Sequence, residues 1–163
     1  MDKKIVTKDE NEQEPYETPM EESLCKIFAS FKIASNLIHV LHTSMIWDDF
    51  LKYHPFLDEL YNFLEDQIDE IMEMLEQNGW TVPVSLEELL EESEVQELEW
   101  PITDITDQMK EVSGILGILE KVLQDGIIEA WKEEMMVEQN NLIDYQKFIK
   151  KMERKNRRSL WIK

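Results

Sequence analysis

The chain has 163 residues, a length that suits one domain with a single hydrophobic core. Hydrophobic residues make up 42% and charged residues 33%, with four Gly and five Pro, a composition typical of helical proteins that excludes an intrinsically disordered chain. The net charge of −19 disfavours nucleic acid as a partner of the main body, and one cysteine with three histidines excludes internal disulfides and Cys/His zinc modules.

The N-terminal segment differs from the rest of the chain. Residues 1–20 are acidic and lack helical periodicity, so we predict a flexible arm followed by one helical domain over residues 21–163. The arm has no apolar core of the kind that signal peptides carry, and no apolar stretch of about 18 residues is apparent. Together with the lone Cys25, which we expect to be a small buried hydrophobe, these features favour a cytoplasmic protein without a membrane segment.

Apolar residues at helical spacing predict two long helices in the first half of the chain. The first runs from Glu22 to Ile46, and residues 47–49 are expected to form the turn that follows it. The second runs from Phe50 to Gln77 and ends at Asn78-Gly79, a pair typical of helix C-termini.

The second half contains a short helix and two further long ones. Ser85 followed by Glu88 matches a capping box, which predicts a short helix to about residue 92. A third long helix is expected from Pro101 to about Trp131, and a fourth over about residues 137–158. Short, long and short connections indicate an all-α four-helix bundle, with the short helix inside the long crossover between the second and third long helices.

Histidine and acidic residues recur along one side of the second long helix. His54 and Asp58 are spaced i, i+4, as are Asp69 and Glu73, so the members of each pair share a face. At about 100° per residue all four positions lie within one stripe of the helix. Such a stripe is normally the solvent-exposed face of a helix, and that alternative stays open at this point.

Two features favour a metal site over a solvent face. The stripe is interleaved with apolar residues, namely Phe50, Leu57, Leu64 and Ile68. His42 on the first helix is expected to face it. Imidazole and carboxylate without thiolate form the ligand set of iron, manganese or zinc, and carboxylate-rich sites favour the harder ions.

The spacing along the helix makes a prediction about assembly. Asp58 and Asp69 are 11 residues apart, which at about 1.5 Å per residue amounts to about 16 Å along the helix axis. One subunit therefore cannot grip an ion with both pairs. If two copies of the helix cross antiparallel about a dyad near Phe63, pairs of different copies meet and form two identical intersubunit sites per dimer.

The string His42-x11-His54-x3-Asp58-x10-Asp69-x3-Glu73 resembles the ferroxidase pattern of the Dps family, the DNA-binding proteins from starved cells. The likeness covers about residues 22–158. Other positions and segments that agree with the family are Phe50, Leu60-Tyr61, Gln67, Asp69-Glu70, residues 85–90 and Gly126-Ile127.

The resemblance implies a ferritin-like four-helix bundle that assembles from dimers into a dodecameric hollow shell. It also implies that His42, His54 and Asp58 of one subunit and Asp69 and Glu73 of its neighbour bind iron, with zinc or manganese as substitutes. Iron storage with ferroxidase activity is then expected. Fe(II) is oxidised, preferably by hydrogen peroxide, and the Fe(III) is kept inside the shell, which protects against oxidative stress.

The chain departs from the family pattern near the first histidine. Thr43 and Trp47 stand where the family often has tryptophan and glycine. The difference bears on the rate of iron oxidation, on the preferred oxidant and on the protective role that the family's tryptophan indole usually has. His39 is not a family ligand and is interpreted as a core or interface histidine.

The resemblance also implies an acidic pore for iron near the junction of the third and fourth long helices. Glu133, Glu134 and Glu138 are the residues expected to line it. Trp131 and Met135 depart from the aspartate-lined pore typical of the family.

Two alternatives are set beside this prediction. Ordinary ferritins and related di-iron bundles use Glu-x-x-His motifs within one bundle, and no histidine here has a Glu three residues before it. A non-catalytic Dps-like assembly protein would instead bind DNA through the basic C-terminal end, where residues 147–163 hold eight Lys and Arg against one acid, Glu153. Those basic residues could equally form the solvated face of the last helix.

Overall fold

The computed structural model describes residues 16–161, and all regular secondary structure within them is helical. The five helices are α1 (Pro19–Ser44), α2 (Trp47–Gln77), α3 (Leu86–Glu92), α4 (Ile105–Lys132) and α5 (Met136–Trp161). The predicted all-α bundle with a short helix in its long crossover is therefore confirmed. Residues 1–15 of the predicted arm lie outside the described residues, so that part of the arm stays a prediction.

Two helices begin earlier than their sequence suggested. The side chain of Thr18 accepts a hydrogen bond from the backbone N–H of Glu21, so α1 begins at Pro19, inside the range assigned to the arm. The predicted turn over residues 47–49 was wrong, because α2 already begins at Trp47. Asp48 and Asp49 lie in its first turn, where carboxylates interact favourably with the helix dipole.

The crossover shows which local patterns were reliable. The capping box of α3 is present: Glu88 N–H donates to Ser85 Oγ at 3.1 Å, and Ser85 N–H donates to Glu88 Oε2 at 3.0 Å. The predicted start of the third long helix at Pro101 was four residues too early. Asp104 caps this helix, α4, by accepting hydrogen bonds from the N–H groups of Thr106 and Asp107 at 2.8 and 3.1 Å.

Helix α1 is the centre of the bundle. It packs against α2, α3 and α4, and α4 packs along α5. An 18-residue window of α1 has a mean hydropathy of 1.4, so α1 alone among the described helices is long and apolar enough to span a membrane. The expectation that no such stretch exists was wrong. Since 61% of the window is buried inside the bundle, its apolar residues have the environment of a core helix.

Gly126 lets three helices approach closely. A Cβ atom at this position of α4 would lie 2.6 Å from Ile27 Cδ1 of α1 and 3.1 Å from Leu142 Cδ1 of α5. Gly117, also in α4, would place its Cβ in open space. The two glycines therefore separate the packing cost of an added methyl group from the gain in helix propensity.

We expect Gly117→Ala to raise the free energy of unfolding by about 1 kcal/mol, because alanine favours helix over glycine by that amount. Gly126→Ala gains the same propensity but must displace Ile27, and overpacking costs about 1–3 kcal/mol. Thermal unfolding of the two variants should therefore place Gly126→Ala below Gly117→Ala. Equal melting temperatures would show that Ile27 moves aside without a cost in stability.

Cys25 is 1% exposed, as predicted, and its Sγ lies 3.6 Å from the carbonyl oxygen of Thr81. Burial, followed by the carboxylates of Glu21 and Glu92, raises the pKa of the thiol to about 12. A thiol with so high a pKa holds almost no reactive thiolate near neutral pH.

The Cys25 thiol should therefore resist alkylation at neutral pH in the folded protein and react fully once the chain is unfolded in denaturant. Mass spectrometry after timed exposure to iodoacetamide measures both rates. Rapid labelling under native conditions would contradict the buried position of this face of α1.

Candidate metal centre

The short connection between α1 and α2 brings three of the five predicted ligands together. His42 lies in the last turn of α1, and residues 45 and 46 alone separate α1 from α2. The ring centroids of His42 and His54 are 3.9 Å apart, and His42 Nε2 lies 3.7 Å from Asp58 Oδ1. The ring of Phe50 covers His54 with 4.1 Å between centroids. This cluster of His42, His54 and Asp58 is called the histidine half-site below.

His42 is an unusual residue because both of its ring nitrogens are buried with no hydrogen-bond partner in the part of the chain that the structure describes. Its side chain is 15% exposed, and neither Nδ1 nor Nε2 has a hydrogen-bond partner among the described residues. Burial and then the neighbouring His54 lower the pKa of His42 below its usual value of 6.5, against the opposing influence of Asp58. The neutral imidazole is thus favoured, and this is the form that binds metals.

Asp69 and Glu73 form a separate half-site further along α2. Helix α2 is continuous from Trp47 to Gln77, so Asp69 lies about 16 Å along the axis from Asp58. Both carboxylates are exposed. Among residues 16–161 no three His, Cys, Asp or Glu side chains are close enough to hold a metal ion. This holds also for His42, His54 and Asp58, and the structure does not bring Asp69 and Glu73 to them.

The apolar surroundings of the ligand stripe differ from expectation. Leu57, Leu64 and Ile68 are fully buried in the bundle of their own chain, so they do not flank the carboxylates at the surface. Phe50 does remain at the surface, 42% exposed. Further exposed apolar side chains lie close to the histidine half-site in the chain, at Val40, Ile46 and Leu51.

His39 lies at the surface of the bundle rather than in its core. Its ring stacks on Tyr61 with 4.7 Å between centroids and lies 6.3 Å from the ring of His42. The core interpretation of His39 was therefore wrong, because one helical turn before His42 the same face of α1 has become exposed. The interface interpretation stays a prediction.

The predicted pore residues lie at the α4–α5 corner. Glu133 Oε1 accepts a hydrogen bond from the backbone N–H of Met20 at 2.8 Å, which satisfies a free donor at the start of α1. Glu138 Oε1 accepts from Asn78 Nδ2 at 3.0 Å, and Glu134 has a left-handed backbone with φ 59°. Two of the three carboxylates thus have structural partners within the chain, and the pore itself stays a prediction.

Most of the basic C-terminal face is paired with carboxylates. Lys147 lies 2.8 Å from Asp144, and Lys150 lies 3.4 Å from Glu120. Arg157 pairs with Glu153. Lys151 and Lys155 both reach Glu59 of α2, at 3.1 and 2.7 Å. These contacts neutralise much of the positive charge that the sequence concentrates there.

Two acidic residues of α2 were assigned no role from the sequence. Glu59 follows Asp58 and pairs with the two lysines of α5, and Glu70 follows Asp69 and accepts a hydrogen bond from Tyr145 at 2.6 Å. Their partners Tyr145, Lys151 and Lys155 recur at roughly helical spacing on α5. From the sequence alone, the tyrosine could equally belong to the core and the lysines to a solvent-exposed face. Only the packing of α5 on α2 distinguishes the two.

No protein-family model matches the sequence. The chain is 31% identical over 124 residues to the DNA protection during starvation protein of Listeria monocytogenes, covering 76% of this chain and 80% of that protein. The crystal structure of Dps from Listeria monocytogenes superposes with a TM-score of 0.76 at 28% identity, over 81% of this chain and 86% of that one. Dps from Staphylococcus aureus has a TM-score of 0.81 at 23% identity, over 86% and 94% of the two chains, and shows the shared fold alone.

Solved structures of Dps from Listeria innocua are also similar to this chain. They include crystals soaked with cobalt and with zinc. They also include a variant in which two histidines twelve residues apart are both replaced by glycine, and the same interval separates His42 from His54. The sequence is 31% identical to that of the Listeria monocytogenes protein over 76% of this chain, and the two share a ferritin-like four-helix bundle. This chain therefore belongs to the Dps family of bacterial DNA protection during starvation proteins.

Proposed function

We propose that the chain is a subunit of an iron-storing miniferritin whose ferroxidase centre oxidises Fe(II), with hydrogen peroxide as the oxidant. The observation that carries this proposal is the state of His42. Its two ring nitrogens are buried and make no hydrogen bond among the described residues, and its ring lies against His54 and Asp58. A buried polar group without a partner costs about 1–3 kcal/mol, and a bound metal ion would remove that cost.

The centre is completed by a second copy of the chain. Two α2 helices that cross antiparallel near Phe63 bring the histidine half-site of one copy to Asp69 and Glu73 of the other. The exposed apolar side chains of Val40, Ile46, Phe50 and Leu51 support this arrangement, because an interface would remove them from water. Each dimer then holds two equivalent centres, and dimers assemble further into a dodecameric shell.

The ligand set suits both oxidation states of the substrate iron. Neutral imidazoles favour Fe(II), whereas the anionic carboxylates of Asp58, Asp69 and Glu73 stabilise Fe(III). Oxidation of two Fe(II) ions gives two electrons to one molecule of hydrogen peroxide, which takes up two protons and leaves as two molecules of water. Because the electrons are delivered as a pair, no hydroxyl radical is released. Zinc or manganese would compete for the same ligands.

Iron removal accounts for protection without contact to DNA. The relatives are named for DNA protection during starvation, and consumption of both Fe(II) and peroxide removes the reagents that damage DNA. The basic face of α5 gives little support to direct binding, since five of its basic side chains pair with carboxylates. We therefore place the function in the metal centre and, with the lone buried Cys25, in a reducing cytoplasm.

Replacing a ligand should slow the oxidation of iron. We expect His54→Ala and Asp58→Ala to lower the initial rate of peroxide-dependent Fe(II) oxidation by about 10- to 100-fold, because each loses part of the ligand set. Stopped-flow ultraviolet absorbance of Fe(III) measures the rate. Asp144→Ala, which removes an exposed carboxylate on α5, is the control and should match the parent. Equal rates in all four proteins would rule out the proposed centre.

Mixing two inactive variants tests whether the centre lies between copies. In a mixed dimer of His54→Ala and Asp69→Ala, one centre carries both lesions and the other carries neither. Random pairing on coexpression therefore restores about one quarter of the parental number of centres. A centre contained within one chain would show no recovery.

The mass of each assembly in solution is the control for this experiment. Both variants and the mixture must have the mass of the parent, so that recovery reports on centres rather than on assembly. A parent that is monomeric in solution would contradict the intersubunit centre directly.

A further inference from the structure

Helix α5 contacts α2 through the residues that directly follow two of the proposed ligands. Lys151 and Lys155 of α5 donate to Glu59, the residue after Asp58, at 3.1 and 2.7 Å. The phenol of Tyr145 donates to Glu70, the residue after Asp69, at 2.6 Å. The two links thus lie beside the two half-sites.

A ring contact joins the links. Phe63 of α2 stacks on Phe148 of α5, with 3.8 Å between centroids and 13° between the ring planes. Phe63 lies close to midway between Glu59 and Glu70 along α2, and it is the residue nearest the expected dyad. Together the three contacts form a seam along one side of α2, defined here as the α2–α5 seam.

The seam adds contacts on the side of α2 that faces α5, where few backbone positions of the two helices lie close together. α2 packs extensively along α1 but meets α5 at few backbone positions. These side-chain contacts supplement the buried apolar face of α2, which includes Leu57, Leu60 and Leu64, in fixing the rotation of α2 about its axis. Tyr145 is 4% exposed, so its hydroxyl is held rigidly by the core around it.

Small rotations of α2 would misplace the ligands. Side-chain tips lie about 5–6 Å from a helix axis, so a rotation of about 20° moves a carboxylate by about 2 Å. Adjacent residues are fixed about 100° apart around the helix. Holding Glu59 and Glu70 therefore also holds the directions of Asp58 and Asp69. Each centre draws on both ends of α2, one end from each copy, so an error at either end affects both centres of a dimer.

We propose that Glu59 and Glu70, held by Lys151, Lys155 and Tyr145, are positioning residues for the intersubunit metal centre. This inference rests on the proposed function. The Tyr145–Glu70 link is the stronger of the two, because its donor is buried, whereas Glu59 and its lysines are all more than one third exposed and such pairs contribute little.

The test uses the assembled protein and Co²⁺, which probes binding without oxidation. Tyr145→Phe removes only the hydroxyl group and should weaken Co²⁺ binding by about 10-fold in calorimetric titration, the lower end of the loss seen when outer partners of metal ligands are changed. It should also raise the Fe(II) concentration that gives the half-maximal rate more than it lowers the maximal rate. A purely structural role would lower the melting temperature and leave the Co²⁺ affinity at the parental value.

Two further variants separate the hydrogen bond from the charge. Glu70→Gln keeps an oxygen that accepts from Tyr145 and should bind Co²⁺ within about twofold of the parent, whereas Glu70→Ala should resemble Tyr145→Phe. Glu70 is exposed, so both variants are expected to fold even if Tyr145→Phe does not. Tyr16→Phe is the matched control, because it also removes a tyrosine–carboxylate hydrogen bond, to Glu92, far along the chain from the centre.

The outcomes distinguish the two proposals. If the parent neither binds Co²⁺ more tightly than His54→Ala nor oxidises Fe(II) faster, both the proposed function and the positioning role fail. If the parent and His54→Ala differ as expected but Tyr145→Phe and Glu70→Ala bind Co²⁺ like the parent, only the positioning role is overturned. Weaker binding in Glu70→Gln equal to that in Glu70→Ala would also overturn it, since charge rather than the hydrogen bond would then matter.

Discussion

An α-helix fixes the distance between its residues, and α2 is one continuous helix from Trp47 to Gln77 despite Pro55 in its interior. Its two ligand pairs are therefore kept about 16 Å apart along the axis. No movement of side chains can close that gap within one chain. If the pairs bind a common ion, the second pair must come from another copy, so the chemistry of the centre and the assembly of the protein become one requirement.

Contacts with the rest of the bundle hold α2 in a fixed position. α1 is buried along most of its length, which anchors His42 at the place where α2 turns back. The connection of two residues leaves little freedom between His42 and His54. On its other side α2 is held by α5 through Glu59, Phe63 and Glu70. In our proposal, α1 and α5 hold α2 from two sides and so keep its ligand side chains in position before a metal ion binds. In a site within one chain, neighbouring ligands would provide part of that positioning.

Much of this arrangement could be predicted from sequence, because it depends on local rules. Helical periodicity located the four long helices, the Ser85–Glu88 pattern located α3, and i, i+4 spacing paired the ligands. Errors arose where one residue type serves two structures. Asp48 and Asp49 suit a turn or a first helical turn, and Pro101 can begin a helix but here precedes the stronger cap at Asp104. The Tyr145–Glu70 link could not be foreseen, because it depends on the register of α5 against α2.

Charge distribution bears on whether the basic face of α5 is available to bind DNA. The chain carries a net charge of −19, and the basic residues near its C-terminus are largely engaged by Asp144, Glu120, Glu59 and Glu153. Lys151 and Lys155 both donate to Glu59, and each ammonium group has three N–H donors, so a phosphate could share these lysines with Glu59. If both proposals hold, phosphate binding by these exposed lysines would leave the Tyr145–Glu70 link beside Asp69 in place.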